Sequence, residues 1–208
     1  MFKRILVPLD GSLRAERAIP VAARIARASG GSVILLRVAP VPIDYGVYMA
    51  PSPMYVQEAL DAELNEVNSY LAGIAPSSDL ADIKVETSAY YGAAAQTILS
   101  VTESYNADLI VMCSHGNTGF KRWVIGSVAQ KLVRYSPVPM LVLREGGSVP
   151  TDTHPDARPI RALVALDGSA LAKAALMPAA YLVAAIAAPG QGALHLTRVV
   201  KPLMPCLL

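Results

Sequence analysis

Charge is scarce in this chain. Only 16% of its 208 residues are Asp, Glu, Lys or Arg, against 53% hydrophobic, and the net charge is +2. So small an excess, with no Lys/Arg cluster, excludes nucleic acid or an anionic membrane as a partner selected by charge. Cysteine is scarcer still. Cys113 and Cys206 make no disulfide framework, and a reducing cytoplasm is the expected setting. His154 and His195 have no metal-ligand companions, so no protein-bound metal is expected. The opening Met1-Phe-Lys-Arg4 looks like the basic start of a secretory leader, but Pro8, Asp10 and Arg14 interrupt any apolar core behind it. The longest uncharged helix-like run, residues 174–188, contains Pro178 and is too short to cross a bilayer; it reads as a buried helix. No glycine is followed by Lys-Ser or Lys-Thr, which excludes a Walker A loop.

What the chain does have is a repeat. Ile5-Leu-Val-Pro-Leu-Asp-Gly-Ser12 returns as Ala162-Leu-Val-Ala-Leu-Asp-Gly-Ser169, with six of eight positions identical. Each copy follows an arginine and leads into an alanine-rich, helix-like run.

Short apolar runs alternate with helical patterns through the first two thirds of the chain. Strands are expected at 3–9, 32–38, 83–90, 107–113 and 138–143, and helices at 13–29, 54–74, 93–105 and 126–135. Ser12 is the expected N-cap of the first helix, with Glu16 in its first turn, and Gly30-Gly31 is its stop. Val56, Leu60, Leu64, Val67 and Leu71 give the second helix one apolar face. This alternation calls for an α/β fold, an open parallel sheet with helices on both faces. Strands buried on both faces also account for the scarcity of charge.

Residues 1–144 make one domain, and 145–159, with two glycines and three prolines, make a linker. Residues 160–208 then supply a first strand, a first helix (170–188) and a second strand (194–200), with Arg37-Val38 matching Arg198-Val199. Such a partial unit leaves a bare sheet edge: it docks on the first domain, exchanges with another chain or is a truncated product, and of these association between chains is expected. The loop 39–53, with four prolines, Tyr45 and Tyr48, is either a lid over a ligand or ordinary packing.

The chemical signal is Cys113-Ser-His-Gly116, then nine residues, then Gly126-Ser127. It joins the end of one strand to the start of a helix. In an open parallel sheet, ligands bind beyond the carboxyl ends of the strands where strand order reverses. Backbone N–H groups of a glycine-bearing loop and the positive end of a helix both favour phosphate. Gly116 and Gly126 allow close approach, and Ser127 adds a hydroxyl.

These residues, with Asp108-Leu-Ile-Val-Met-Cys-Ser-His-Gly116 and Pro137-Val-Pro-Met-Leu-Val-Leu143, resemble the universal stress protein family. The resemblance covers 1–144 as a whole domain and 160–200 as the opening of a second, incomplete one. It implies a five-stranded sheet of order 3-2-1-4-5, adenine nucleotide alpha hydrolase-like. It implies an ATP site, with magnesium as the nucleotide's counter-ion. Pro8, Leu9 and Asp10 would lie beside adenine and ribose, with Val38 at the adenine edge. Met112, Cys113, Ser114, His115, Gly116, Asn117, Thr118 and Gly119, with Gly126, Ser127, Val128 and Ala129, would hold ribose and phosphates. In the family's ATP-binding branch the motif is Gly, two residues, Gly, nine residues, Gly-Ser/Thr; Cys113 stands at the first glycine. The resemblance further implies a homodimer through the fifth strand, 138–143, with the C-terminal unit as a second contact.

Several residues carry two readings. Asp10 is a turn former, since Asp-Gly-Ser is turn chemistry, or a ligand contact; the loop across from it favours the ligand. Asp167, without such a loop, is read as a turn former. His115 touches phosphate at most, because no partner makes it a base. Lys121 and Arg122 are read as solvated, with phosphate contact as the alternative; Trp123 packs the loop or covers part of a ligand; and Cys113 is a small apolar filler before it is a reactive thiol. The function expected is a regulatory nucleotide-binding module of the stress response, with at most slow ATP hydrolysis. The alternative is an interaction protein of the same fold that works through dimer contacts without nucleotide. A nucleotide-activating ligase is set aside for want of an acceptor-substrate domain.

Overall fold

Arg4–Leu9 is a run of apolar residues that can pair on both edges and bury both faces. In the computed structural model, which describes residues 1–40, 53–114, 125–144 and 159–200, it forms the central strand β1. The chain divides into two compact units, Met1–Thr151 and Asp152–Leu208.

In the first unit β1 is flanked by β2 (Ser32–Ala39) and β4 (Leu109–Cys113), with β3 (Lys84–Tyr91) and β5 (Met140–Leu143) outside them. The order is β3-β2-β1-β4-β5, as the resemblance implies, and every pairing is parallel, as the alternation of strands and helices predicts. Leu9 pairs with Arg37, and Ile5 with Leu109. Asp108 fixes the start of β4 against β1: its carboxylate accepts the Lys3 N–H at 2.7 Å and the Arg4 N–H at 3.1 Å. Arg4 also pairs with Glu86 on β3 at 3.2 Å.

The helix expected at 13–29 is two helices, α1 (Leu13–Glu16) and α2 (Ala18–Ser29), meeting at Arg17. Proline explains the break. Pro20 has no N–H to give the Glu16 carbonyl four residues back, and its ring crowds that carbonyl. Ser12 caps α1 by accepting the Ala15 N–H at 3.2 Å. Gly30 ends α2 in the left-handed conformation, φ 59°. Among the described residues three further α-helices follow: α3 (Pro53–Ile74), α4 (Ala94–Ser104) and α5 (Ser127–Tyr135).

One sheet face carries Leu6, Ile34, Leu36, Ile110 and Met112 against Ile98 and Val101 of α4 and Ala129 and Leu132 of α5. Residues two apart on a strand share a face, so this layer continues upward to Pro8, Val38 and Ser114 at the strand ends.

In the second unit β6 (Ile160–Leu166) pairs in parallel with β7 (Gly192–Arg198), and α6 (Ala170–Lys173) and α7 (Leu176–Ala187) connect them. The expected 194–200 strand therefore sits two residues earlier, because β6 sets its ends through Ile160 with Gly192 and Leu166 with Arg198. Pro178 divides the helix as Pro20 does. The reading of this helix as buried is corrected. Val183, Ala185 and Ala187 are buried, but Met177 is 59% and Tyr181 42% exposed. Within this unit α7 packs on β6 and β7. Taken as one run, Ala170–Ala187 is 18 residues of mean hydropathy 1.7, within the lower range of a membrane span by length and composition alone.

Candidate functional site

The layer between the sheet and α4 and α5 ends in a cavity of about 220 Å3, at the carboxyl ends of β1, β2 and β4. The crossover from β1 leads to β2 on one side and the crossover from β3 returns to β4 on the other side of β1, so this is the point where strand order reverses. Pro8, Leu9 and Asp10 enter from β1, Val38 and Leu36 from β2, and Met112, Cys113 and Ser114 from β4. Gly126, Ser127, Val128 and Ala129 enter from the start of α5, with Ala94 and Ile98 from α4 and Ala15 from α1.

All the sequence-predicted site residues that the structure describes line this one cavity: Pro8, Leu9, Asp10, Val38, Met112, Cys113, Ser114, Gly126, Ser127, Val128 and Ala129. His115, Gly116, Asn117, Thr118 and Gly119 lie outside the described residues, as do Tyr45, Tyr48, Lys121, Arg122, Trp123, His154 and the closing segment from 201. Sequence reasoning missed Ala15, Leu36, Ala94 and Ile98. Two signals were present: Leu36 shares a strand face with Val38, and Ala94 and Ile98 are one helical turn apart.

Two backbone bonds frame the site. The Ser114 N–H donates to the Leu143 carbonyl and the Gly126 N–H to the Ser114 carbonyl, both at 2.8 Å. The chain therefore leaves β4 and re-enters at α5 from nearly one point. Gly126 has no side chain to cap α5, and the first intrahelical bond runs from the Gln130 N–H to the Gly126 carbonyl. The amides of the first turn of α5 thus meet the cavity without a side-chain acceptor at the cap, which is the arrangement that suits an anion.

Asp10 sits at the cavity wall and also builds the turn behind it. Its Oδ1 accepts the Ser12 N–H at 3.0 Å and the Ser12 hydroxyl at 2.6 Å. Asp167 repeats the turn, its Oδ1 accepting the Ser169 N–H at 2.8 Å, and the Ser169 hydroxyl oxygen accepts the Ala172 N–H at 3.0 Å. The Ser169 hydroxyl and amide hold the Asp167 carboxyl below the usual carboxylate range. Cys113 is half-buried, and desolvation pushes its thiol pKa up although Arg17 opposes the shift. Desolvation thus works against the thiolate, the reactive form of the side chain.

Behind Asp10, on the opposite sheet face from Val38, the Arg37 guanidinium lies 4.7 Å from the centre of the Tyr70 ring. The Tyr70 hydroxyl donates to Glu16 Oε1 at 2.9 Å. Burial, then this bond to a carboxylate, raises the Tyr70 pKa far above its ordinary value.

A sequence profile described as Universal stress protein family matches residues 1–144. A universal stress protein of Methanocaldococcus jannaschii is 30% identical over 145 residues, 70% of this chain and 84% of the relative. Among solved structures, the universal stress protein UspA from Lactobacillus plantarum is 26% identical with a TM-score of 0.56, covering 69% of this chain and 98% of its own. A universal stress protein from Archaeoglobus fulgidus, 22% identical, shares the fold at a TM-score of 0.66 over 97% of this chain and 68% of its own. The motif residues, the 3-2-1-4-5 sheet and these matches agree: the chain belongs to the universal stress protein family.

Proposed function

We propose that the cavity binds an adenine nucleotide, with ATP and its magnesium as the first candidate, and that the protein is a regulatory nucleotide-binding module of the stress response. The observation that carries this reading is convergence. Residues from four separate stretches of sequence, 8–10, 38, 112–114 and 126–129, line a single cavity. Leu9, Leu36, Val38, Ile98 and Met112 offer apolar walls suited to a base. Asp10 offers an acceptor for ribose hydroxyls, and Ser127 with the first amides of α5 offers donors for phosphate. The experiment is to denature the purified protein, assay the extract for adenine nucleotides, and titrate ATP into ligand-free protein. Co-purified nucleotide or saturable binding supports the proposal. No binding at millimolar ATP with magnesium overturns it.

Cys113 favours a second reading. It puts a side chain into the cavity wall where the ATP-binding branch of the family has glycine. In that reading the fold works in the cytoplasm as an interaction protein, with β5 and the second unit as contacts between copies. Sedimentation reporting a monomer at high concentration, together with negative nucleotide binding, would leave neither reading standing.

A further inference from the structure

The Asp-Gly-Ser turn appears twice, and an arginine lies on its glycine both times. Gly11 has φ +84° and Gly168 has φ +94°. A Cβ placed on Gly11 would stand 3.1, 3.2 and 3.4 Å from Cζ, Nη2 and Nη1 of Arg37. A Cβ placed on Gly168 would stand 2.9, 3.0 and 3.3 Å from Nη2, Cζ and Nη1 of Arg198. Three near-equal distances mean that the flat of the guanidinium, not one nitrogen, rests on the glycine. Register explains the recurrence: Arg37 pairs with Leu9 and Arg198 with Leu166, each the last strand residue before its turn. The positive φ calls for glycine, and its bare Cα leaves the room in which the guanidinium lies.

In the first unit the arginine is itself held. Arg37 stacks on Tyr70 of α3, and Tyr70 bonds Glu16 of α1, the helix that the turn begins. The chain of contacts closes on itself: turn, β2, α3, α1 and back to the turn. Leu36 and Val38 face the cavity, so Arg37 between them points to the other side of the sheet. It supports the turn from behind while Asp10 stands at the cavity in front.

We propose that Arg37 is a positioning residue: stacked on Gly11 and held by Tyr70 and Glu16, it fixes the turn that presents Asp10 to the ligand. The part that concerns ligand rests on the nucleotide reading; the part that concerns the turn does not. A planar support has a signature that a point charge lacks, because lysine keeps the charge but not the flat face.

The test uses the full chain with Arg37→Met, Arg37→Lys and Arg198→Met. Amide hydrogen exchange is read at Ser12 and Ser169, whose N–H groups bond Asp10 and Asp167. Arg37→Met is expected to speed Ser12 exchange about tenfold and leave Ser169 unchanged, with Arg198→Met giving the reverse pattern. Arg37→Lys is expected not to restore Ser12, and if the Met variant does not fold, the Lys variant decides alone. Ser12 exchange unchanged in Arg37→Met, or restored by lysine, overturns the turn support. ATP titration is the second arm, where Arg37→Met is expected to weaken binding about tenfold and Arg198→Met not at all. Equal ATP affinity in wild type and Arg37→Met overturns the ligand part. A wild type that binds no ATP is a failure of the nucleotide reading, and the exchange arm still decides the support of the turn.

Discussion

The two strand–helix–strand openings of this chain are built alike locally and live in different surroundings. Both have the Asp turn, the Ser cap, the proline break, the same strand register and an arginine on the turn glycine. Yet Leu6 of β1 is 0% exposed and its counterpart Leu163 of β6 is 72% exposed. The difference lies in the partners each opening has. In the first unit β4 pairs with β1, and α4 and α5 cover Leu6, Ile34 and Leu36. In the second unit β6 pairs with β7 alone among the described residues, and the positions of Ile34 and Leu36 hold His195 and Thr197. Turns, caps and register are therefore decided by a few neighbouring residues, while burial is decided by elements far away in sequence. Burying a leucine fully contributes about 1.5–3 kcal/mol, so the same residue type has very different worth in the two places.

The sharpest way to break this comparison is to truncate both leucines. Leu6→Ala is expected to cost about 2–5 kcal/mol, by lost burial and by the cavity left, and Leu163→Ala less than about 0.5 kcal/mol, both from urea unfolding. Equal losses would mean that Leu163 is covered in solution. The paired aspartates come next. Asp10→Ala is expected to weaken ATP binding about tenfold or more by titration, while Asp167→Ala leaves it unchanged, since the cavity has a wall from Asp10 and none from its repeat. The caps should give the likeness back: Ser12→Ala and Ser169→Ala each cost about 1 kcal/mol of their own unit's stability in thermal unfolding.

The smallest effect is on pH. The Lys84 ammonium, 3.1 Å away, holds the Glu86 carboxyl below its ordinary range, with Arg4 adding to it. In the second unit the Ser169 hydroxyl and amide do the same for Asp167. With folded pKa values below unfolded ones, the unfolded state binds more protons in the interval between them. The stabilisation is present above the unfolded carboxylate pKa and is lost as pH falls through the folded one. Carbon-13 titration is expected to show Glu86 moving up toward its ordinary value in Lys84→Met, with Asp167 unmoved.

Much of the fold was legible in the order of residues alone. The alternation of apolar runs and helical faces carried the open parallel sheet, because parallel crossovers leave few topologies, and the strand order came with the resemblance of its motifs to the family. The site was legible because its residues sit at strand ends and at one helix start, and topology brings those places together. Pro20 and Pro178 were legible too, as missing donors, but each was absorbed into one long apolar pattern. Ala15 and Ala94 carried no chemical mark; only packing puts them at the cavity. The exposure of Met177 and Tyr181 was hidden for the opposite reason. An apolar sequence reports what a helix can bury, not whether a second layer is there to bury it.

The bond from the Gly126 N–H to the Ser114 carbonyl has a consequence for engineering and for divergence within the fold. It staples together the two ends of the intervening segment, so the sheet and α5 do not depend on that segment's length. Inserts can be exchanged between these anchor points at a closure cost that grows only slowly with the number of residues. The frame at this mouth is in that sense independent of what joins its two anchor points.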